Sequence, residues 1–475
     1  MQKEEGVQCL DAGTPFDQTD DDGRVKRTGT LLTASAHIVT AVIGSGVLSL
    51  SWAIAQLGWI FGVFVLLIFS LIILYTSFFL ADCYRYPDPV NGKRNYNYKA
   101  AVSAHLGGLK TKICASTQYV FLVGNCLGYA VTASLSMAAV ERLNCFHKNG
   151  HAAECVASTN KYLVIYGCIQ IVLSQIPNFH KLWGLSIVAA IMSFCYSSIG
   201  VGLSIAKIAG EGASKTTCLT GVRVGIDITA GEKFWRVCQA LGNIAFASAF
   251  TAVLLEIQDT LKGPPPAENK VMKKATTIST IITTVFYLLC GCLGYAAFGS
   301  KAPGNMLTGF GYYEPFWLID FANVCVAVHL FGSFQVFAQP LYAVMERVCS
   351  RRWPSNPFIS NEWTISTLGL CSYSFNFFRI TSRTLYVVVL TLIAMIFPFF
   401  NDLVGLIGSI AFWPLTVYFP VEMYIHRKKV QRASTEWCWL QILNLICLLV
   451  SVAAAVGSFQ GLATSLRTYK PFKTF

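Results

Sequence analysis

Gly44, Ser45 and Gly46 stand at the middle of an otherwise apolar run, residues 31–56. A glycine costs a helix interior roughly 1 kcal/mol relative to alanine. Two of them around a serine predict an interruption. Open backbone at membrane depth is tolerated only where it lines a protein cavity. The run therefore reads as two half-helices meeting at a break, with anions held on free N–H groups and cations on free C=O groups. A close small-residue helix contact without a break is the alternative. Two histidines lie in apolar runs. His37 is seven residues before Gly44, about 10 Å along a helix, and His329 sits near the middle of a later run. Histidine titrates near physiological pH and suits proton exchange; a neutral packing role is the alternative. Asp320, nine residues before His329, reads as a coupling carboxylate or as a side chain reaching the polar interface. Glu256 and Asp259 read as part of a gate, paired with Lys262 or with basic loops, or as a surface ion pair. Asn125 is a mid-membrane amide that could face a pocket or bond a neighbouring helix.

These residues need apolar helices to carry them. Of 475 residues, 54% are apolar and 13% charged, whereas soluble domains run near 25% charged. The deficit extends along the chain, which excludes a soluble domain with a single anchor. Apolar segments recur at 31–56, 60–82, 113–140, 162–178, 184–206, 238–260, 274–298, 316–345, 384–400, 402–425 and 438–460. The expected fold is an all-α, polytopic membrane protein with eleven transmembrane helices. About two-thirds of the 36 Lys and Arg fall on one side if the N-terminus is cytosolic. That bias places the N-terminus inside and the C-terminus outside, and it explains the net charge of +12 without nucleic acid. Residues 1–28 read as a disordered tail, 29–206 as a first five-helix unit and 207–237 as an outer loop. Residues 238–425 form a second five-helix unit, and 426–475 a loop, an eleventh helix and a short C-terminus.

Span 6, residues 238–260, is the second span short of bulk at its centre: Gly242, then Ala245, Ala247, Ser248 and Ala249, interleaved with Phe246 and Phe250. Spans 1 and 6 correspond if the first ten divide five and five. Interrupted segments at matching places of two inverted halves point to a secondary transporter site. Cys145 and Cys155 fall in an outside-facing stretch, where a disulfide is expected. The interleaved His147 and His151 also give a zinc spacing, free thiols are possible there, and Cys218 is a competing partner. No Walker, GxSxG or HExxH motif occurs, so neither ATP-driven nor enzymatic chemistry is indicated, and no cofactor or metal is expected.

Five stretches resemble the plant amino acid permeases, of the amino acid/auxin permease branch of the amino acid–polyamine–organocation superfamily. They are GTLLTASAHIVTAVIGSGVLSLSWAIAQLGW, GNIAFASAFTAVLLEIQDTLKGPP, CGCLGYAAFG, YEPFWLIDFANVCVAVHLFGSFQVFAQP and FPFFNDLVGLIGSIAFWPLTVYFPVEMYI. The resemblance covers residues 28–475. It implies a leucine-transporter-like 5+5 inverted repeat with breaks in helices 1 and 6. It also implies proton-coupled uptake of amino acids across the plasma membrane, with H+ as coupling ion and no other cofactor. A zwitterion would then lay its carboxylate on the N–H groups of Gly44, Ser45, Gly46 and Val47, where glycine allows close approach. Its ammonium would meet carbonyls from Ile43 and from Ala245 and Phe246. Phe246 and Phe250 are candidates for the side-chain pocket, with Ser248, Asn125 and Asn243 beside them. Matching histidines are thought to influence transport in this family. Members usually carry Asp where Asn243 stands, and a tyrosine-rich run where Ala247-Ser248-Ala249-Phe250 stands. That departure keeps two other functions open: a non-transporting amino acid sensor or scaffold, and a permease for an auxin-like aromatic acid.

Overall fold

A computed structural model describes residues 20, 26–176, 183–311, 315–367 and 371–468. In chain order its α-helices of five residues or more are α1 (Leu31–Val42), α2 (Leu50–Asp82), α3 (Tyr98–His105), α4 (Gly108–Asn149), α5 (Thr159–Leu173), α6 (Trp183–Glu211), α7 (Ala230–Ala247), α8 (Leu254–Gln258), α9 (Glu268–Phe298), α10 (Phe316–Arg352), α11 (Phe377–Ile396), α12 (Phe400–Ala411), α13 (Phe419–Lys428) and α14 (Thr435–Thr468). Two short antiparallel hairpins, β1 (Arg85–Tyr86) with β2 (Lys93–Arg94) and β3 (Trp363–Thr367) with β4 (Cys371–Phe375), lie in loops.

Nine described helices are long and apolar enough to cross a membrane, by length and composition. One of them, Ser45–Asp82, contains the second part of the first apolar run read from the sequence and the whole of the next, parted at Gly58. A further run forms the shorter α5, of 15 residues. Gly58 has φ 81° and ψ 178°, a backbone shape that a side chain resists. A Cβ there would also lie 2.2 Å from the Gly221 nitrogen. The loop before α7 thus packs directly on this turn, with Val222 N–H donating to Ala55 O at 2.9 Å. Lys233 Nζ donates to both Gln56 O and Thr220 O, at 2.5 and 2.8 Å.

Burial sorts the helices into a centre and a periphery. The most apolar stretch of Ala230–Gln258 is 89% buried, against 28% for Phe377–Ile396 and 33% for Thr435–Arg467. The peripheral α11 and α14 expose Leu392 and Leu449, as lipid-facing helices do. The central α7 packs on α12, α14 and α2, while α10 packs on α4 and α6. Capping is orthodox at both central entries. Thr30 with Thr33 closes a capping box on α1, and Thr229 with Glu232 closes one on α7.

The expected disordered tail, 1–28, lies mostly outside the described residues. Its described end is bound. Arg27 is buried, pairs with Asp20 and meets the Tyr84 hydroxyl and Glu268 at 3.0 Å each. Gly29 then bonds across the end of α8, donating to Thr260 O at 3.0 Å and accepting from Lys262 N–H at 2.9 Å.

Candidate functional site at two interrupted helices

The first interruption lies at the predicted glycines. Helix α1 ends at Val42, Ile43 adopts φ −78° and ψ 70°, Gly44 adopts φ −109° and ψ −149°, and a 3₁₀ turn runs Ser45–Ser49 into α2. The N–H groups of Ser45 and Gly46 precede the first bond of that turn, Val47 N–H to Gly44 O, and have no helical acceptor. On the other side, the carbonyls of Val42 and Ile43 lose their α-helical partners, and Val42 O accepts instead from Gly44 N–H at 2.8 Å. Phenols supplied by other helices meet them. Tyr287, on α9, donates to Val42 O at 2.5 Å. Tyr196, on α6, lies 3.0 and 2.9 Å from the carbonyls of Ile43 and Gly44.

The second interruption begins after Ala247. Ser248 and Phe250 are no longer in α7, a 3₁₀ turn covers Thr251–Val253, and α8 follows. Its carbonyls are met in the same manner. Tyr287 also bonds Ala247 O, so one phenol lies between the two breaks. Gln118, on α4, donates to Ala252 O at 2.7 Å. Thr251 and Thr416 share a hydroxyl bond of 2.9 Å. The breaks touch directly, because a Cβ on Gly46 would lie 2.6 Å from Ala247 Cα and 3.1 Å from the Phe246 ring. A cleft of about 10 Å³ remains between Val42, Ser248, Phe250, Thr283 and Tyr287, room for about one water molecule.

His329 stands against this junction. It is fully buried, and a Cβ on Gly44 would lie 3.7 Å from its Nε2 and 3.4 Å from the Tyr129 hydroxyl. Its Nδ1 is 2.8 Å from Ala189 O, and its Nε2 is 3.0 Å from Ser333 Oγ. A carbonyl only accepts, so the proton of the neutral ring sits on Nδ1. Nε2 then accepts from Ser333, whose Oγ also lies 3.5 Å from Thr40 O.

Other residues singled out from the sequence lie elsewhere. His37 is buried on α1, two turns before the break. Asn125 is buried but spends its amide on Phe121 O of its own helix, at 2.8 Å. Asn243 is buried one turn before the second break and donates to Asn401 Oδ1 at 2.7 Å, tying α7 to α12. Asp320 lies at the end of α10 where Asn144 donates to it at 3.0 Å, so α10 does not bring it to His329. Cys145 and Cys155 are joined by a disulfide with Cα atoms 5.8 Å apart. His147 and His151, interleaved between them, lie against Phe316.

Asp259 and Glu256 part company. Asp259 accepts from the Tyr84 hydroxyl at 2.6 Å and lies 3.8 Å from Arg94, a loop cation, with no pairing to Lys262 among the described residues. It belongs to a charged cluster in which Arg27 and Arg85 share Glu268, and Lys273 and Arg427 share Asp82. Burial pushes the Tyr84 phenol up, and Asp259 adds to the effect. Burial alone would lower Arg27, but Asp20, Tyr84 and Glu268 outweigh it and hold the guanidinium above its ordinary value. Glu256 instead faces α4. Tyr129, Tyr196, Tyr287, Gln118 and Ser333 are the site residues that sequence reasoning missed. The available signal was a hydroxyl or amide inside an apolar span.

Comparison with known proteins follows this geometry. Residues 27–464 match the family model described as transmembrane amino acid transporter protein. Amino acid permease 6 of Arabidopsis thaliana is 60% identical, over 96% of this chain and 94% of that protein. Amino acid permease 1 of Arabidopsis thaliana is 57% identical, over 97% and 94%. Among solved structures, MhsT in complex with L-phenylalanine superposes with a TM-score of 0.58, covering 92% of this chain and all of that one at 9% identity. Mhp1, a nucleobase-cation-symport-1 family transporter with bromovinylhydantoin bound, gives 0.55, covering 93% of each chain at 13% identity. Those two are transporters of the leucine-transporter fold, and at such identities they bear on fold alone. The match along nearly the whole sequence, with both interruptions in place, makes this chain a member of the transmembrane amino acid transporter family.

Proposed function

We propose that this chain imports amino acids together with protons across the plasma membrane, by alternating access around the paired breaks. The observation that carries the reading is His329, a titratable ring buried against Gly44 and joined to Ser333. A second proton, on Nε2, makes that nitrogen a donor. The Ser333 hydroxyl then turns to Thr40 O, in the last turns of α1 before the break. Protonation is thereby felt by the half-helix whose carbonyls would hold a substrate ammonium. An arriving ammonium replaces the Tyr196 and Tyr287 hydroxyls at Val42, Ile43 and Gly44. The substrate carboxylate takes the free N–H groups of Ser45 and Gly46. Because Gly46 and Ala247 are in contact, substrate entry requires the two breaks to part.

In this reading the N-terminus and the Arg27–Glu268 cluster face the cytosol, and the Cys145–Cys155 disulfide faces outside, consistent with the basic bias of the loops. Purified protein in vesicles should accumulate neutral amino acids under an inward proton gradient and should stop when the gradient is collapsed. His329→Ala should bind amino acid yet lose most gradient-driven accumulation. Wild-type protein that accumulates nothing under the gradient overturns the proposal.

A further inference from the structure

Glu256 is a buried carboxyl group that the site described above does not use. It lies on α8, one turn past the second break. Its Oε1 accepts from Gln118 Nε2 at 3.0 Å and from Tyr98 N–H at 3.4 Å. Its Oε2 is buried and has no partner among the described residues. No cation is paired with it among those residues. The cations paired at this end are Arg27 and Arg85 with Glu268, Lys273 and Arg427 with Asp82, and Arg94 by Asp259, while Lys99 and Arg347 lie toward Cys114 and Tyr119 and form no ion pair with Glu256 among the described residues. The titratable groups that face it are Tyr98 on α3, Cys114 and Tyr119 on α4, and Asp259 on its own segment. None of them supplies a positive charge. A buried carboxylate without a cation is far costlier than the neutral acid.

The hydrogen bonds also connect this group to the break. The same Gln118 nitrogen holds Ala252 O, at 2.7 Å, and Glu256 Oε1. The Tyr98 hydroxyl donates to Leu415 O at 2.6 Å, beyond α4. If α8 swings away from α4 and α3, Gln118 loses both partners in one movement and water reaches Glu256.

We propose that Glu256 links the opening of this end of the protein to release of a proton. While the end is shut, Oε2 carries a hydrogen. When it opens, the Oε2–H bond breaks, the proton passes to water as hydronium, and the electron pair stays on the carboxylate. The charge favours the hydrated, open arrangement. Closure requires the reverse transfer from hydronium. Acid on this side therefore holds the end shut. This rests on the transport reading above and adds to it a response to the pH of the compartment facing α3.

The test is amino acid exchange in vesicles of known orientation, with equal amino acid on both sides and outer pH fixed. Wild type should slow about fivefold as the pH facing α3 falls from about 7.5 to about 5.5. Glu256→Gln, which keeps the shape but cannot ionise, should exchange at the slow rate at every inner pH. Glu256→Asp should retain the wild-type response. Stabilisation of each variant by amino acid against heat checks its folding. A Gln variant that keeps the wild-type slope, or an Asp variant as flat as Gln, overturns the proposal. If Gln at this position prevents folding, wild type decides alone, and a rate independent of inner pH overturns it. Absence of gradient-driven accumulation in the wild type is a different result, and counts against the transport reading itself.

Discussion

The two interruptions solve one problem with different materials. At the first, glycine provides the opening and two phenols from distant helices, Tyr196 and Tyr287, meet the freed carbonyls. At the second there is no glycine pair. Alanine, serine and phenylalanine leave the helix there, a glutamine and the same Tyr287 meet the backbone, and Thr416 meets the Thr251 hydroxyl. An opened helix costs little when its small residues fit the opening, and more when tertiary bonds must hold it. The first break should therefore depend on space, and the second on its hydrogen-bond partners. Tyr287 is where the two dependences meet.

Substitutions can separate these cases. The largest effect is expected for Gly46→Leu, because even a Cβ meets Ala247 backbone at 2.6 Å. Gradient-driven uptake should fall to background while the protein remains monodisperse after purification. Next is Tyr287→Phe, which removes the one hydroxyl reaching both breaks. The phenol carries one hydrogen for the two carbonyls and Val42 O keeps the Gly44 N–H, so the loss is that of one buried bond, about 1–3 kcal/mol. Thermal stability should drop measurably, and amino acid should restore less of it than in the wild type. Tyr196→Phe unsettles only the first break, and Gln118→Leu only the second. Each should cost about as much again as one buried hydrogen bond in the same melt, and the pair should add, since they serve different segments. Subadditive losses would show that the breaks behave as one element. The smallest effect is expected for Asn243→Asp, which leaves both breaks in place and changes only the contact with Asn401. Uptake should stay within about twofold.

The Gly44-Ser45-Gly46 interruption was legible in the sequence because glycine in an apolar helix needs a local reason. The second was legible only through its place in the repeat. The phenols were not legible, since Tyr196 and Ile43 are 153 residues apart and meet through the fold alone. His329 was found because a titratable ring in an apolar span is rare. Asp320 looked similar along the chain, yet it lies at a helix end with Asn144. Hydropathy cannot separate depth from proximity to an end. Glu256 and Asp259, three residues apart, read as two parts of one gate. They point to different neighbours, because α8 is wedged between the Arg94 cluster and α4.

The loop seated on Gly58 carries a mechanical consequence. Through Val222 and Lys233 it ties residues just past the first break to the start of α7, which leads into the second. Those two stretches cannot be displaced independently without tearing these bonds. A binding protein raised against residues 218–224 would grip both at once, as a handle does, and would freeze the transporter in one posture without entering its interior.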